Sequence, residues 1–124
     1  MEATRPRVLM VDDDRTNLTV ARNILNELYD IITVTSGQRM LKILEKFNPD
    51  IILLDIEMPE MNGYEVIKLL KASDATKHIP VIFLTALTGP ESETEGLNLG
   101  AVDYIYKPFT RELLLKRIET HLPF

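Results

Sequence analysis

The sequence predicts an α/β fold: a doubly wound, five-stranded parallel sheet in the order 2-1-3-4-5, covered by helices on both faces. Three observations predict it. Short apolar runs, too short for helices, alternate five times with segments whose apolar residues recur at helical spacing. The links between them are short, as in a series of βαβ crossovers. The run Ile51-Ile52-Leu53-Leu54 is apolar without alternation, as expected of a central strand buried on both faces.

Each element has its own warrant. Arg7-Val8-Leu9-Met10-Val11 reads as the first strand and stops at Asp12-Asp13-Asp14. Over residues 15–28, Leu18, Ala21, Leu25 and Leu28 mark one face of a helix, with Asp14 as its N-cap. Residues 30–34 are rich in β-branched side chains and form the second strand. Ser36 caps a helix with Met40, Leu44 and Phe47 inward, and Asn48-Pro49 ends it. Residues 50–55 are the third strand. A loop over residues 56–62 leads through Gly63 into a helix with Val66, Ile67 and Leu70 inward. Residues 80–85 are the fourth strand. Thr88-Gly89-Pro90 turns the chain into a helix near residues 91–99, where Gly96 costs roughly 1 kcal/mol relative to alanine. Gly100 ends that helix and residues 102–106 form the fifth strand. Thr110 caps the last helix, with Leu114, Ile118 and Leu122 on one side. Residues 1–6 read as a flexible lead-in.

Composition narrows the function classes. A chain of 124 residues, 45% hydrophobic and 27% charged, has the size and balance of one globular domain, 1–124. It has no cysteine, so disulfides and thiolate metal sites are excluded; this agrees with a cytoplasmic location. The net charge of −5 disfavours direct nucleic-acid binding. No apolar run approaches the roughly 18 residues that span a bilayer, so no membrane association is expected.

In a doubly wound sheet, ligands bind beyond the carboxyl ends of the strands. Asp12-Asp13, Asp55, Thr85 and Lys107 stand there in this sequence. Singly, each has an ordinary explanation as a turn former, a cap or a solvated side chain. Together they put three carboxylates, a hydroxyl and an ammonium at one edge. Crowded carboxylates raise one another's pKa unless a cation intervenes. A set of aspartates without histidine or cysteine fits Mg²⁺, or Mn²⁺, and disfavours Zn²⁺. His78 and His121 fall outside this edge and read as surface residues. A carboxylate beside such an ion can attack phosphorus to form an acyl phosphate. Lys107 can pair with phosphoryl oxygens and the Thr85 hydroxyl can donate to one. With Asp55 ionised, no general base is required.

Four motifs then resemble the CheY-like response-regulator receiver domains of two-component systems. They are Val11-Asp12-Asp13; Asp50 through Asp55 and on to Met58-Pro59-Glu60-Met61-Asn62-Gly63; Pro80-Val81-Ile82-Phe83-Leu84-Thr85-Ala86; and Gly100 through Tyr106 to Lys107-Pro108-Phe109. The resemblance covers roughly residues 7–122. It implies the flavodoxin-like (βα)5 architecture and a signalling switch, not an enzyme acting on other substrates. The switch would catalyse only its own phosphorylation and dephosphorylation. Asp55 would be the phosphoacceptor. Asp13 and Asp55 would bind Mg²⁺ directly, with the Glu57 backbone carbonyl, and Asp12 through water. Thr85 and Tyr104 would be the switch pair, Lys107 would hold the phosphoryl oxygens, and Lys107-Pro108 would be cis.

The same resemblance implies partners. A sensor histidine kinase or phosphotransfer protein would dock over the active-site loops and first helix, near Arg15, Asn17 and Leu18. The fourth helix, fifth strand and fifth helix would face an output domain or effector, or form a homodimer on activation, with Glu93, Asn98, Asp103, Arg111 and Lys116 as candidate contacts. The stretch over residues 91–109 looks like receivers that precede cyclic-di-GMP output domains, so the chain is either a single-domain regulator or part of a longer one. Gly89, Gly96 and Gly100 make the fourth helix a weak, bistable segment, although Gly89 and Gly100 also read as turn and C-cap. Three positions depart from the common pattern: Arg15 stands where a proline is common and would help meet the phosphodonor, and acidic Glu57 and apolar Leu87 border the entry to the site, which points to unusual phosphorylation kinetics. Other classes fit less well. A haloacid-dehalogenase-like phosphatase would need a cap domain, and an FMN module would need a Ser/Thr/Gly-rich phosphate loop after the first strand. A receiver kept only for binding would not need all five polar residues.

Overall fold

A computed structural model describes residues 5–87 and 89–124. Its elements alternate as the apolar pattern requires: β1 (Arg7–Val11), α1 (Arg15–Leu25), β2 (Asp30–Val34), α2 (Gly37–Ile43), β3 (Ile51–Leu54), α3 (Gly63–Lys71), β4 (Val81–Thr85), α4 (Pro90–Asn98), β5 (Asp103–Tyr106) and α5 (Arg111–His121). Every strand pairing is parallel and the order is β2-β1-β3-β4-β5.

The period of two along each strand divides the core. Leu9, Val11, Ile52, Leu54, Val81, Phe83 and Tyr104 join Met40 of α2 and Val66, Ile67 and Leu70 of α3. Val8, Met10, Ile51, Leu53, Ile82, Leu84 and Ile105 join Leu18, Ala21 and Leu25 of α1 and Leu114 and Ile118 of α5. Gly96 puts α4 on the first face, where a Cβ would stand 2.9 Å from the Phe83 ring. So α2, α3 and α4 cover one face, and α1 and α5 the other.

The helix starts follow their capping residues. Asp14, Ser36 and Thr110 accept backbone N–H bonds at α1, α2 and α5. Asn62 and Glu65 form a reciprocal capping box at α3. Pro90 stands in the first turn of α4 behind Gly89, whose φ of 112° favours glycine. Gly100, also at φ 112°, ends that helix. Thr88, the first residue of the expected turn, lies outside the described residues.

The helix ends depart from expectation. Helix α1 ends at Leu25, where the Leu28 and Tyr29 N–H groups both turn back to the Leu25 carbonyl, so Leu28 lies beyond it and is 52% exposed. Ile43 ends α2, so Leu44 and Phe47 pack on the core as half-buried residues of the following turns, not as helix. Leu122 is extended and only partly buried against α5's core. The lead-in is anchored at its end: the Arg5 guanidinium reaches the carbonyls of Asn26 and Glu27, and the Pro6 carbonyl accepts from the Asp30 N–H at 3.0 Å. Residues 1–4 lie outside the described residues.

His121 lies outside the acidic edge as expected, but it is partly buried and paired rather than simply at the surface. Its ring nitrogen lies 2.9 Å from Asp103 Oδ2, because the last turn of α5 passes the start of β5, and Arg117 takes Asp103 Oδ1. Burial alone would push the Asp103 carboxyl up. Hydrogen bonds from Arg117, the Tyr104 N–H and His121 outweigh it and hold the group below the usual range. Stability from a depressed carboxyl is present above its unfolded pKa and is lost as pH falls through the folded value. Asp103→Asn is therefore expected to cost about 1 kcal/mol at neutral pH, with the deficit shrinking below about pH 4. Urea denaturation of both proteins across that range measures it.

Candidate functional site

The sheet's register assembles the polar residues. Val11 pairs with Leu54, so the residues after them, Asp12 and Asp55, emerge side by side. The Asp55 N–H continues the ladder to the Val11 carbonyl at 2.9 Å. On the other side Thr85 pairs with Tyr106, and the Lys107 N–H reaches the Thr85 carbonyl at 2.9 Å. Four strand ends thus deliver Asp12-Asp13, Asp55, Thr85 and Lys107 to one edge, as the sequence requires.

The three carboxylates meet: an oxygen from each of Asp12, Asp13 and Asp55 lies within 4.8 Å of the others. Asp12 and Asp55 are 1% and 5% exposed, whereas Asp13 is open to solvent. Lys107 Nζ lies 2.6 Å from Asp12 Oδ2 and 3.6 Å from Asp55 Oδ2. The other Asp12 oxygen accepts from the Asp14 N–H at 2.9 Å. Three like charges therefore face one ammonium in a largely buried setting. Burial and then the Asp12 charge push the Asp55 carboxyl up to about 6, against the opposing pull of Lys107 and the Ile56 N–H. The expected repulsion is present. It also qualifies the expectation of a fully ionised Asp55, because a carboxyl near 6 keeps a minor protonated fraction at neutral pH.

The donor set fits a hard divalent cation. All three side chains offer carboxylate oxygens, two from inside and one from the solvent side, and a dication would relieve their repulsion. Asp12, Asp13 and Asp55 would hold it. Glu57, expected to add its backbone carbonyl, is exposed two residues beyond Asp55. It lines a groove of about 470 Å³ with Ile56, Met58, Pro59, Asn62, Tyr64 and Leu87, so Glu57 and Leu87 border the same groove beside the end of β3.

The hydroxyl end is linked through one residue. Thr85 is fully buried and its Oγ1 accepts from the Leu87 N–H at 3.2 Å, which leaves its own hydrogen to donate. Tyr104 points inward, and its hydroxyl donates to the Leu87 carbonyl at 3.0 Å. Burial pushes that phenol up, so it stays a donor. Tyr106, on the same face, is exposed and its hydroxyl bonds Glu93 at 2.7 Å. Lys107-Pro108 is cis, as the resemblance implies.

Sequence reasoning gave Gly63 no role beyond the turn. Its N–H bonds the Ile56 carbonyl at 2.8 Å, and its Cα side lies directly against the Asp55 and Ile56 backbone, where no Cβ fits. The signal was available in Asn62-Gly63: a cap followed by the one residue that permits such an approach.

The family model described as response regulator receiver domain matches residues 8–119. A probable cyclic di-GMP phosphodiesterase of Vibrio cholerae is 48% identical over 115 residues; the match covers 93% of this chain but 26% of that protein, so the chain spans about a quarter of its relative. The chemotaxis protein CheY4 of Vibrio cholerae superposes with a TM-score of 0.89 at 32% identity, covering 94% of this chain and 98% of that one. The receiver domain of the sensor histidine kinase PA1611 from Pseudomonas aeruginosa, solved with magnesium coordinated in its active-site cleft, superposes at 0.88 with 28% identity, covering 98% and 100%.

Proposed function

The chain belongs to the response regulator receiver domains, and on that premise we propose that Asp55 is its phosphoryl acceptor in a Mg²⁺-dependent reaction. One observation carries the proposal: the carboxylates of Asp12, Asp13 and Asp55 converge beside Lys107 at the carboxyl edge of the sheet. An Asp55 oxygen attacks phosphorus as the bond to the donor breaks, and the leaving group departs with that bond's electrons. The product is an acyl phosphate with nearly two negative charges. The cation, Mg²⁺ or Mn²⁺, supplies charge neutralisation and orientation of the phosphoryl group.

Lys107 then exchanges Asp12 for a phosphoryl oxygen, and the Thr85 hydroxyl donates to another. Because Thr85 and Tyr104 both bond Leu87, a shift of Thr85 moves the same backbone that Tyr104 holds. That route leads to α4 and β5, where Tyr106 bonds Glu93. The α4-β5-α5 face is the proposed contact for an output domain, an effector or an activated homodimer. The donor is a phosphohistidine on a sensor histidine kinase or phosphotransfer protein, and the location is cytoplasmic. Catalysis is limited to gain and loss of the domain's own phosphoryl group. The chain carries one receiver domain, either a regulator by itself or the receiver of a longer one, and in the longer form cyclic di-GMP turnover is an output that the Vibrio cholerae relative supports.

Incubation with Mg²⁺ and acetyl phosphate is expected to add the mass of one phosphate, and none in Asp55→Asn. Modification that persists in Asp55→Asn, or none in the parent with either acetyl phosphate or beryllofluoride, rejects the proposal. Glu57→Asn and Leu87→Ala test the entry groove: each is expected to change the rate of phosphate gain or loss.

A further inference from the structure

Two surfaces outside the acidic site are complementary. The first lies at the β2 edge of the sheet. Arg39, Lys42 and Lys46, spaced three and four residues apart, line a groove of about 410 Å³ together with Val34, Ile43 and one acidic residue, Glu45, so the cations outnumber the carboxylate three to one. All three cations are exposed, and among the described residues none is in an ion pair. The second lies at the β5 edge. Helix α4 carries Glu91, Glu93 and Glu95 and no basic residue. Glu93 is taken by Tyr106. Glu91 and Glu95 remain exposed, one turn apart, beside a shallow depression with Pro90 and Leu99, and Leu97 next to them is 43% exposed.

Both surfaces lie on the same face of the sheet, since α2 and α4 pack on the same half of the core. They stand at its opposite edges. A helix with two carboxylates one turn apart and an apolar flank matches a groove with cations one turn apart and apolar lining residues. Two copies side by side, sheets in the same sense, bring α4 of one to α2 and the β2 edge of the next. Such a contact is head-to-tail and leaves a free surface at each end.

We propose that the unphosphorylated chain associates with further copies of itself through this α4-to-α2 contact. Its occupant is a second copy, because the complementary acidic helix is present in the same chain. The contact is mainly between exposed charges, so it is weak and salt-sensitive. It differs from an activated homodimer in being independent of Asp55, and Asp55→Asn retains it.

Sedimentation velocity over a concentration series, in low salt and again near 0.5 M salt, where charges are screened beyond about 4 Å, tests it. The expected result is a weight-average sedimentation coefficient that rises with concentration in low salt and is constant in high salt. Lys42→Glu alone and Glu95→Lys alone are each expected to give monomer at every concentration. The two variants mixed, or both changes in one chain, are expected to associate again. Matched thermal unfolding curves establish that the variants fold. A parent that stays monomeric in low salt overturns the proposal, as does association that survives Lys42→Glu or a mixture that remains monomeric.

Discussion

Asp55→Asn is expected to unfold at higher denaturant than the parent in metal-free buffer at pH 8, while accepting no phosphate. The folded parent holds the Asp55 carboxyl up near 6, from an ordinary value of 3.8, first by burial and then by the Asp12 charge. A group whose folded pKa is raised contributes stability that is fully present below its unfolded pKa and is lost as pH rises through the folded value. The loss develops between about pH 4 and pH 7, and a displacement of this size corresponds to roughly 3 kcal/mol once complete. Asparagine keeps the shape and removes the charge. The variant's advantage should be near zero at about pH 3 and reach about 2 to 3 kcal/mol at pH 8. Lys107 must find Asp12 sufficient in the variant; at 2.6 Å that pair is the shorter of its two. Mg²⁺ is expected to raise the parent's midpoint and narrow the gap, because ligands that bind only the folded state stabilise it by mass action. Urea titrations of both proteins at several pH values, with and without Mg²⁺, measure all three effects. A variant no more stable than the parent at pH 8 would place the three carboxylates in better-solvated surroundings than their burial indicates.

That tension between stability and site explains what the sequence made legible. The strands were readable because apolar runs of four or five residues, buried on both faces, leave little alternative. Asp12, Asp55 and Thr85 were readable as candidate site residues for a related reason: polar groups at the ends of such runs have no packing role to fill. The helix ends were less readable. Leu28, Leu44, Phe47 and Leu122 continue the apolar pattern past the point where the backbone turns, and only the local hydrogen bonds stop each helix. The pairing of His121 was not readable because its partner, Asp103, lies 18 residues away, beyond what spacing within one helix can show. Gly96 was read as a weakness in α4. Its missing side chain is also what seats the helix on Phe83. The link from Thr85 and Tyr104 through the Leu87 backbone left no trace in the side chains at all, since Leu87 takes part by its peptide groups.

Gly63→Ala is expected to cost about 3 kcal/mol and to disturb phosphate uptake, although residue 63 carries no functional group. A Cβ at Gly63 would overlap the Asp55 carbonyl oxygen and stand 2.8 Å from the Ile56 Cα. Those neighbours are backbone, fixed by the Asp55 ladder bond to Val11 and by the Ile56 carbonyl's bond from Gly63 itself. A flexible side chain could swing aside, as Lys71 could at Gly100; the end of β3 cannot. Relief requires α3 to move out or Asp55 to move in. The first opens the contacts of Val66, Ile67 and Leu70; the second misplaces the nucleophile relative to Asp12 and Lys107. Gly89→Ala is the control. Among the described residues, nothing beyond its chain neighbours lies within 4 Å of a Cβ placed there, and the cost is the backbone one of φ 112° and ψ 149°, a conformation essentially confined to glycine, about 2 kcal/mol. Gly63→Ala should therefore lose more stability than Gly89→Ala by urea denaturation, and it should be phosphorylated by acetyl phosphate more slowly than the parent under conditions where both are folded. Equal losses at the two positions would mean that β3 and α3 can separate at little cost. The close approach at Gly63 would then not be what sets the position of Asp55.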